Sequence, residues 1–333
     1  MFPTVSVVIP TFNRSASVRR AIASVLTQTF QDFEVIVVDD GSTDDTEASV
    51  NGIADRRVRL VRHDSRRGGS VARNTGIRAG SAPFVAFLDS DDEWLPMKLE
   101  RQLEVFGRAG DRLGLVYAGT ERVYADGSKD VHIPSRPDDL VPALLTENVV
   151  GETSVGMVRR RVFDAVGLFD ESLPASQEMD LWLRICKQFT ADFVPEPLVR
   201  IAKGDDPGRI TANIHATTRG RELYRDKHRE DMVRYDVLHL HLRESGWWYL
   251  RGARDAVQAR RCFVEAWHAR PFAPLTGILL LLTYLPLSWL DGMAGLKHFL
   301  HRLLRPARDA SSMSASSAPV QRVATTVARD RLS

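Results

Sequence analysis

The sequence predicts an α/β fold, a mostly parallel sheet flanked by helices and continued by a helical C-terminal extension. Two observations predict it. Short apolar runs rich in Val, Ile and Phe recur through residues 1–110, and segments with helical spacing of their apolar residues separate them. Strand–helix–strand repetition of this kind demands parallel strands joined by right-handed crossovers.

The expected strands are VSVVI at 5–9, EVIVV at 34–38, VRLVR at 58–62 and FVAFL at 84–88. The first, second and fourth run apolar without alternation, the pattern of strands buried on both faces. Between the first two, Val18, Ile22, Val25 and Leu26 share one face of a helix over 15–29, with Ser15 as its N-cap. Shorter helices are expected over 43–54 and 70–80. Over 94–106, Leu95, Leu99, Leu103 and Phe106 form a stripe, with Pro96 in the first turn, where its missing N–H does no harm. From 113 to 133 the pattern becomes strand-like about an Asp126-Gly127 turn. Helices are then expected at 159–166 and 177–189, a strand at 198–202, a long polar helix over 215–243 and a further helical segment over 246–270. The tail from Pro306 is rich in Ser, Ala and Arg, a composition that predicts disorder. The expected organisation is therefore a core of residues 1–210, a helical extension over 211–304 and a tail over 305–333.

Composition excludes several classes of function. The 333 residues are 44% apolar and 26% charged, so the chain has enough apolar surface to fold. Two cysteines, Cys186 and Cys262, can build neither a disulfide framework nor a zinc site. A reducing, cytoplasmic compartment follows. No basic segment precedes the apolar run at 5–9, and Pro10 ends it, so a secretory signal is not expected. Net charge is only +2, but residues 1–210 hold 26 basic and 32 acidic side chains, against 19 and 11 in the remainder. An acidic core makes a poor polyanion binder, and basic stretches interleaved with aromatics are not evident, so nucleic acid is not an expected partner.

The stretch 272–290 is the most apolar in the chain. A spanning helix wants about 20 predominantly apolar residues. Pro274 and Pro286 bracket fewer, and Arg270, Lys297, His298, His301, Arg302 and Arg305 flank them. The segment either lies in a membrane interface, at the inner face of the membrane, or packs on the helices of 215–270. His239 and His241 stand two apart, cannot share a helical face, and are expected to be solvated.

In a parallel sheet, the loops after each strand emerge on one edge, where ligands bind. Pro10-Thr11-Phe12-Asn13 follows the first strand, Asp39-Asp40-Gly41-Ser42 the second, and Asp89-Ser90-Asp91-Asp92 the fourth. A single aspartate there would be a turn or cap residue. Five on one rim repel each other and need a cation or a donor-rich ligand. Mg²⁺ or Mn²⁺ typically takes one or two protein carboxylates plus phosphate oxygens. Neither G-x-G-x-x-G nor G-x-x-x-x-G-K-[ST] occurs, which removes the phosphate cradles of dinucleotide redox enzymes and P-loop hydrolases.

Taken together, VSVVIPTFNR, VVDDGSTD, GGSVARNTGI and FVAFLDSDDEW resemble the glycosyltransferase family 2 domain, which has the GT-A fold. GLFDESL and SQEMDLWLR at 167–173 and 176–184 extend the resemblance, so that it spans residues 4–210. It implies inverting transfer of one sugar from a nucleotide-diphosphate donor, in this family most often a UDP-sugar, to an acceptor hydroxyl on a glycan, a lipid-linked sugar or another molecule, in the making of cell-surface glycans. It also implies residue roles. Pro10, Thr11, Phe12 and Asn13 would line the nucleoside pocket, and Asp40 would accept from the base. Arg73 would lie near the diphosphate with Asp89, and Asp91 or Asp92 would ligate Mn²⁺ or Mg²⁺. Glu178 falls on the position of the base that deprotonates the acceptor, where relatives more often have Asp; Asp180 is the competing acid. The element by which processive relatives grip a polymer is absent, which favours single additions. Arg209 stands where relatives close the site. Two rivals share the acidic rim: a nucleotidyltransferase, and a protein that binds nucleotide-sugars without turning them over.

Overall fold

The computed structural model describes residues 2–135, 139–203 and 213–285. It opens with the alternation the sequence predicts: β1 (Val5–Thr11), α1 (Ser15–Leu26), β2 (Phe33–Asp39), α2 (Thr46–Asn51), β3 (Val58–Arg62), α3 (Gly69–Ala79) and β4 (Phe84–Phe87). β1 pairs in parallel with both β2 and β4, and β2 pairs in parallel with β3. Central placement explains the unbroken apolar runs: Val7, Val8 and Ile9 of β1 and Val35, Ile36 and Val37 of β2 are wholly buried. α3 lies so close on β1 that a Cβ at Gly76 would overlap the side chain of Val8.

Past β4 come β5 (Asp92–Trp94), α4 (Lys98–Arg108), β6 (Leu113–Tyr124), β7 (Lys129–His132), α5 (Leu140–Thr146), β8 (Met157–Arg159), α6 (Val162–Val166), α7 (Gln177–Cys186) and β9 (Thr190–Lys203). The strand order is β3-β2-β1-β4-β8-β6-β9-β5, with β7 paired to β6. β8 runs antiparallel to both β4 and β6, so a parallel core continues into a mixed sheet.

Several boundaries move for identifiable reasons. The helix expected from 94 starts at Lys98, because Asp92–Trp94 pair with Val199–Ile201 and Pro96 sits in the turn before it. The helix expected over 159–166 divides into β8 and α6, since Met157–Arg159 bridge two strands. β9 runs far beyond 198–202. Pro195 and Pro197 interrupt its apolar pattern, and the ladder with β6 absorbs them as register shifts at Ala118–Thr120.

The C-terminal helices are α8 (Ile214–Arg234), α9 (Leu238–Arg251), α10 (Ala256–Ala269) and α11 (Pro274–Leu282). The single helix expected over 215–243 is thus two, broken where Asp236 takes φ 54°. The segment 246–270 is broken likewise at Arg254, also φ 54°. The first break carries neither Gly nor Pro, so residue type does not announce it, whereas Gly252 caps α9 at the second. No helix among the described residues is long and apolar enough to cross a membrane. Residues 286–290 of the apolar stretch, the tail and Arg209 lie outside the described residues.

The expectation of solvated His239 and His241 is overturned: both are buried. α9 packs against α5, α8 and α10, so it buries more than one side, and an i, i+2 pair can be interior without sharing a face. His241 Nδ1 lies 3.0 Å from the carbonyl of Leu145, and its ring stacks on Tyr224 at 5.9 Å. Burial, then the nearby charge of Arg221, holds His241 down to about 3, so it is a neutral hydrogen-bonding group.

A buried ionic knot fixes α7 to α8. Asp180 has no exposed surface. Its Oδ1 lies 2.8 Å from His228 Nε2 and 2.8 Å from Lys227 Nζ, and its Oδ2 accepts from Arg184 Nε at 2.9 Å. Burial would raise this carboxyl. The His228 hydrogen bond and the charges of Arg184 and Lys227 outweigh it and hold it below its ordinary value. A carboxylate held low contributes stability above its ordinary pKa and loses it as pH falls through the lowered one. Asp180→Ala leaves three basic groups without their shared partner, and we expect a loss of about 3–5 kcal/mol in urea unfolding at neutral pH. A loss below about 1 kcal/mol, the range of exposed pairs, would show that the knot is solvated.

Candidate functional site

The loops after β1, β2 and β4 meet at the carboxyl edge of the parallel strands, where such sheets bind ligands. They open into a cleft of about 1270 Å³. Ten of the residues singled out in the sequence line it: Pro10, Thr11, Phe12, Asn13 and Asp40, then Arg73, Asp89, Asp91, Asp92 and Glu178. The volume exceeds the 300–1,000 Å³ or so of a typical small-ligand site, leaving room for two substrates.

The loops after β1 and β2 are locked together. Asn13 takes φ 51°, a left-handed conformation that its short polar side chain tolerates. Its N–H donates to Ser42 Oγ at 2.8 Å, and its Oδ1 accepts from the Thr43 N–H at 2.8 Å. Gly41, at φ 79°, passes so close to the backbone of Ser65 that a Cβ would come within 2.7 Å of it. Asp40 secures the same neighbouring loop. Its Oδ1 accepts from the Arg67 N–H at 2.9 Å and its Oδ2 from the Gly68 N–H at 2.7 Å, while His63 Nδ1 stands 2.8 Å from Oδ1. A carboxylate has about four lone-pair positions, so Asp40 keeps one for a ligand. The loop so held brings the Arg66 guanidinium 4.4 Å from the centre of the Phe12 ring, making a planar wall.

The acidic loop is equally committed. Arg73 Nη2 donates to Asp89 Oδ1 at 2.6 Å, Arg14 Nη1 lies 3.1 Å from Asp91 Oδ2, and Ser154 Oγ donates to Asp92 Oδ2 at 2.6 Å. The same Ser154 Oγ accepts from the Asp89 N–H at 3.0 Å. Arg73 is buried, and its Nε and Nη1 have no hydrogen-bond partner among the described residues. Unsatisfied N–H groups on a buried guanidinium are an expensive arrangement unless an anion completes them. Burial, then the charges of Asp89 and Asp91, pushes the Asp92 carboxyl well above its ordinary value. That repulsion is what a divalent cation relieves. Among the described residues no three His, Cys, Asp or Glu side chains gather closely enough to enclose an ion. An ion here would draw on one or two carboxylates and on ligand oxygens, the usual habit of Mg²⁺.

Glu178 sits in the first turn of α7, just past Ser176, which takes φ 62°. It is half-buried, and its Oε1 accepts from Asn148 Nδ2 at 3.3 Å. Burial raises its carboxyl; Arg73 draws it down, and Asp89 and Glu152 push it up. Asp180, two residues on, points into the knot described above and does not line the cleft. Asn74 ties together two motifs distant in sequence: its Nδ2 donates to the Phe169 carbonyl at 2.9 Å and to Glu171 at 2.8 Å, while its Oδ1 accepts from the Phe169 N–H at 3.0 Å. Arg66, Asn148 and Ser154 escaped the sequence reading. Only Arg66 carried a local signal, as one of two arginines before a Gly-Gly pair.

Residues 6–167 match the model of glycosyl transferase family 2. An uncharacterized glycosyltransferase of Rickettsia bellii is 33% identical over 227 residues, which is 64% of this chain and 32% of that protein. The chain thus spans about a third of that relative's length. A putative teichuronic acid biosynthesis glycosyltransferase of Bacillus subtilis is 27% identical over 78% of this chain and 98% of its own. Among solved structures, S. aureus TarS 1-349 in complex with UDP-GlcNAc superimposes with a TM-score of 0.60 at 17% identity, covering 80% of this chain and 82% of that one. This likeness establishes the fold. The mixed sheet, the rim that gathers the motifs and these similarities identify residues 6–167 as a glycosyltransferase family 2 domain, with the GT-A fold.

Proposed function

We propose that this glycosyltransferase moves one sugar, with inversion, from a UDP-sugar to an acceptor hydroxyl on a cell-surface glycan or its lipid-linked precursor. One observation carries the reading: a half-buried glutamate, a buried arginine with unpaired N–H groups and three crowded aspartates share one cleft. The fold of the S. aureus TarS complex and the naming of the B. subtilis relative support a UDP-sugar and a surface polymer.

Each residue then has a task. The base stacks on the flat wall that Phe12 and Arg66 form together, and the spare lone pair of Asp40 accepts its N–H. The unpaired Nε–H and Nη1–H of Arg73 donate to the diphosphate. The donor set at the rim is all carboxylate oxygen, which suits a hard cation, and Asp91 or Asp92 would hold Mn²⁺ or Mg²⁺ there. The ion, when bound, neutralises charge on the departing diphosphate. Glu178 takes the acceptor proton as the acceptor oxygen attacks the anomeric carbon on the side opposite that leaving group. Asn148 orients its carboxylate.

Three outcomes check this. Glu178→Gln should lower transfer by about 10²–10⁴-fold while UDP still stabilises the protein thermally. A pure binder would show no turnover to lose. Because burial holds Glu178 above the ordinary 4.5, its basic form disappears as pH falls through a raised value; the acid limb of kcat/KM should lie above 4.5 and vanish in Glu178→Gln. Chelation should abolish transfer and added Mn²⁺ restore it; undiminished turnover in excess EDTA would remove the metal from the reading.

We also propose a peripheral membrane contact through α11, where Ile278 and Leu281 are 50% and 69% exposed, in a helix that the basic Arg270 precedes in the sequence. The full-length protein should sediment with anionic vesicles at low salt, and Leu281→Asp should weaken this. Failure of the unaltered protein to sediment would end the proposal.

A further inference from the structure

The cleft extends beyond the residues that face the donor. Thr217 and Arg221 of α8 and Glu244 and Trp248 of α9 line it, together with Glu147 and Asn148 of the loop after α5. The two groups adjoin at 147–148. Glu178 feels Arg73 and Asp89, Arg221 feels Glu244 and Glu147, and Asn148 hydrogen-bonds Glu178.

The chemistry of this second wall differs from that of the first. Trp248 is 37% exposed, a large aromatic surface on the wall of a cleft. Among the described residues, Arg221 Nη2 is buried with no hydrogen-bond partner, and its Nε has only a long contact to Ser245 Oγ at 3.4 Å. The carboxylates of Glu147 and Glu244 make no hydrogen bond or ion pair among the described residues. An apolar plate beside spare donors and acceptors matches a pyranose ring, whose C–H face is apolar and whose hydroxyls both donate and accept. Charge narrows the choice. Two carboxylates against one guanidinium leave an excess of negative charge, which disfavours a phosphate or carboxylate at this spot and tolerates a neutral ring.

Resting on the transfer reading above, we infer that α8 and α9 form an acceptor subsite for a neutral sugar, a hexose or N-acetylhexosamine stacked on Trp248 with its hydroxyls on Arg221, Glu244 and Glu147. Trp248 and Glu244 then select the acceptor and do not touch the donor.

The test uses the full-length protein with Mn²⁺ and whichever UDP-sugar stabilises it most. Methyl glycosides of glucose, galactose and N-acetylglucosamine are compared with methyl glucuronoside and glucose 1-phosphate. Binding is followed by saturation-transfer NMR and turnover by UDP release. Neutral glycosides should bind and accelerate UDP release. Trp248→Ala and Glu244→Gln should each raise the glycoside KM about tenfold, with the thermal shift by UDP and Mn²⁺ retained as proof of a folded donor site. The inference falls if the anionic sugars are preferred, if both variants respond like the unaltered protein, or if donor stabilisation is intact while no neutral glycoside binds. Absence of donor stabilisation itself would instead bring down the transfer reading, and this inference with it.

Discussion

The site depends on a concentration of negative charge that the fold cannot avoid. Parallel strands all end on the same edge, so the aspartates that close β2 and those that follow β4 are delivered to one rim. Left alone they would repel by several kcal/mol. The structure answers each one separately. Loop amides and His63 hold Asp40, Arg73 holds Asp89, Arg14 holds Asp91, and Ser154 holds Asp92. The balance is incomplete, since Asp92 stays raised and two guanidinium nitrogens of Arg73 have no partner among the described residues. Strain of this kind is tolerable where a ligand removes it.

The same constraint explains the architecture around the rim. Glu178 must approach these acids without collapsing onto them, so its helix needs an independent anchor. Asp180 supplies one on the far side of the same helix, tied to His228 and Lys227 of α8 and to Arg184. Two acids two residues apart thus acquire opposite states. One carboxyl is held low among basic groups in the interior, and the other is raised at the edge of the cleft. A helix places i and i+2 on different sides, which is the geometric origin of the division. A left-handed Ser176 just before the helix sets its entry angle.

What the sequence disclosed follows from the range of the interactions concerned. Strand cores and the residues that close them are local: VSVVI leads directly to Pro10–Asn13, and EVIVV to Asp40, so both the fold class and the rim were legible. Positions fixed by distant contacts were not. Ser154 reaches Asp92 across 62 residues and Asn148 reaches Glu178 across 30, with no local pattern to betray either. The break at Asp236 rests on a single left-handed aspartate that a long polar run does not single out, whereas the break before α10 had a local signal in Gly252, which apolar spacing alone passes over. The interior histidines misled for a related reason. Periodicity assumes that a helix buries one face, whereas α9 is enclosed on several.

That difference in range separates the two halves of the cleft. The half proposed to take the donor is built from loops that directly follow the neighbouring strands β2, β1 and β4, so short motifs encode it and the spacing between them is fixed by the sheet. The wall formed by α8 and α9 is built from residues such as Arg221 and Trp248, which meet only because α8, α9 and α5 pack together. Substitutions on those helices can alter the wall without disturbing a single strand-end motif. Under the proposed transfer reading, a nucleotide-diphosphate end that many sugars share would thus be held by constrained geometry. An acceptor end that must differ between polymers would fall to adjustable helix packing, with Glu178 and Asn148 at the point where the two adjoin.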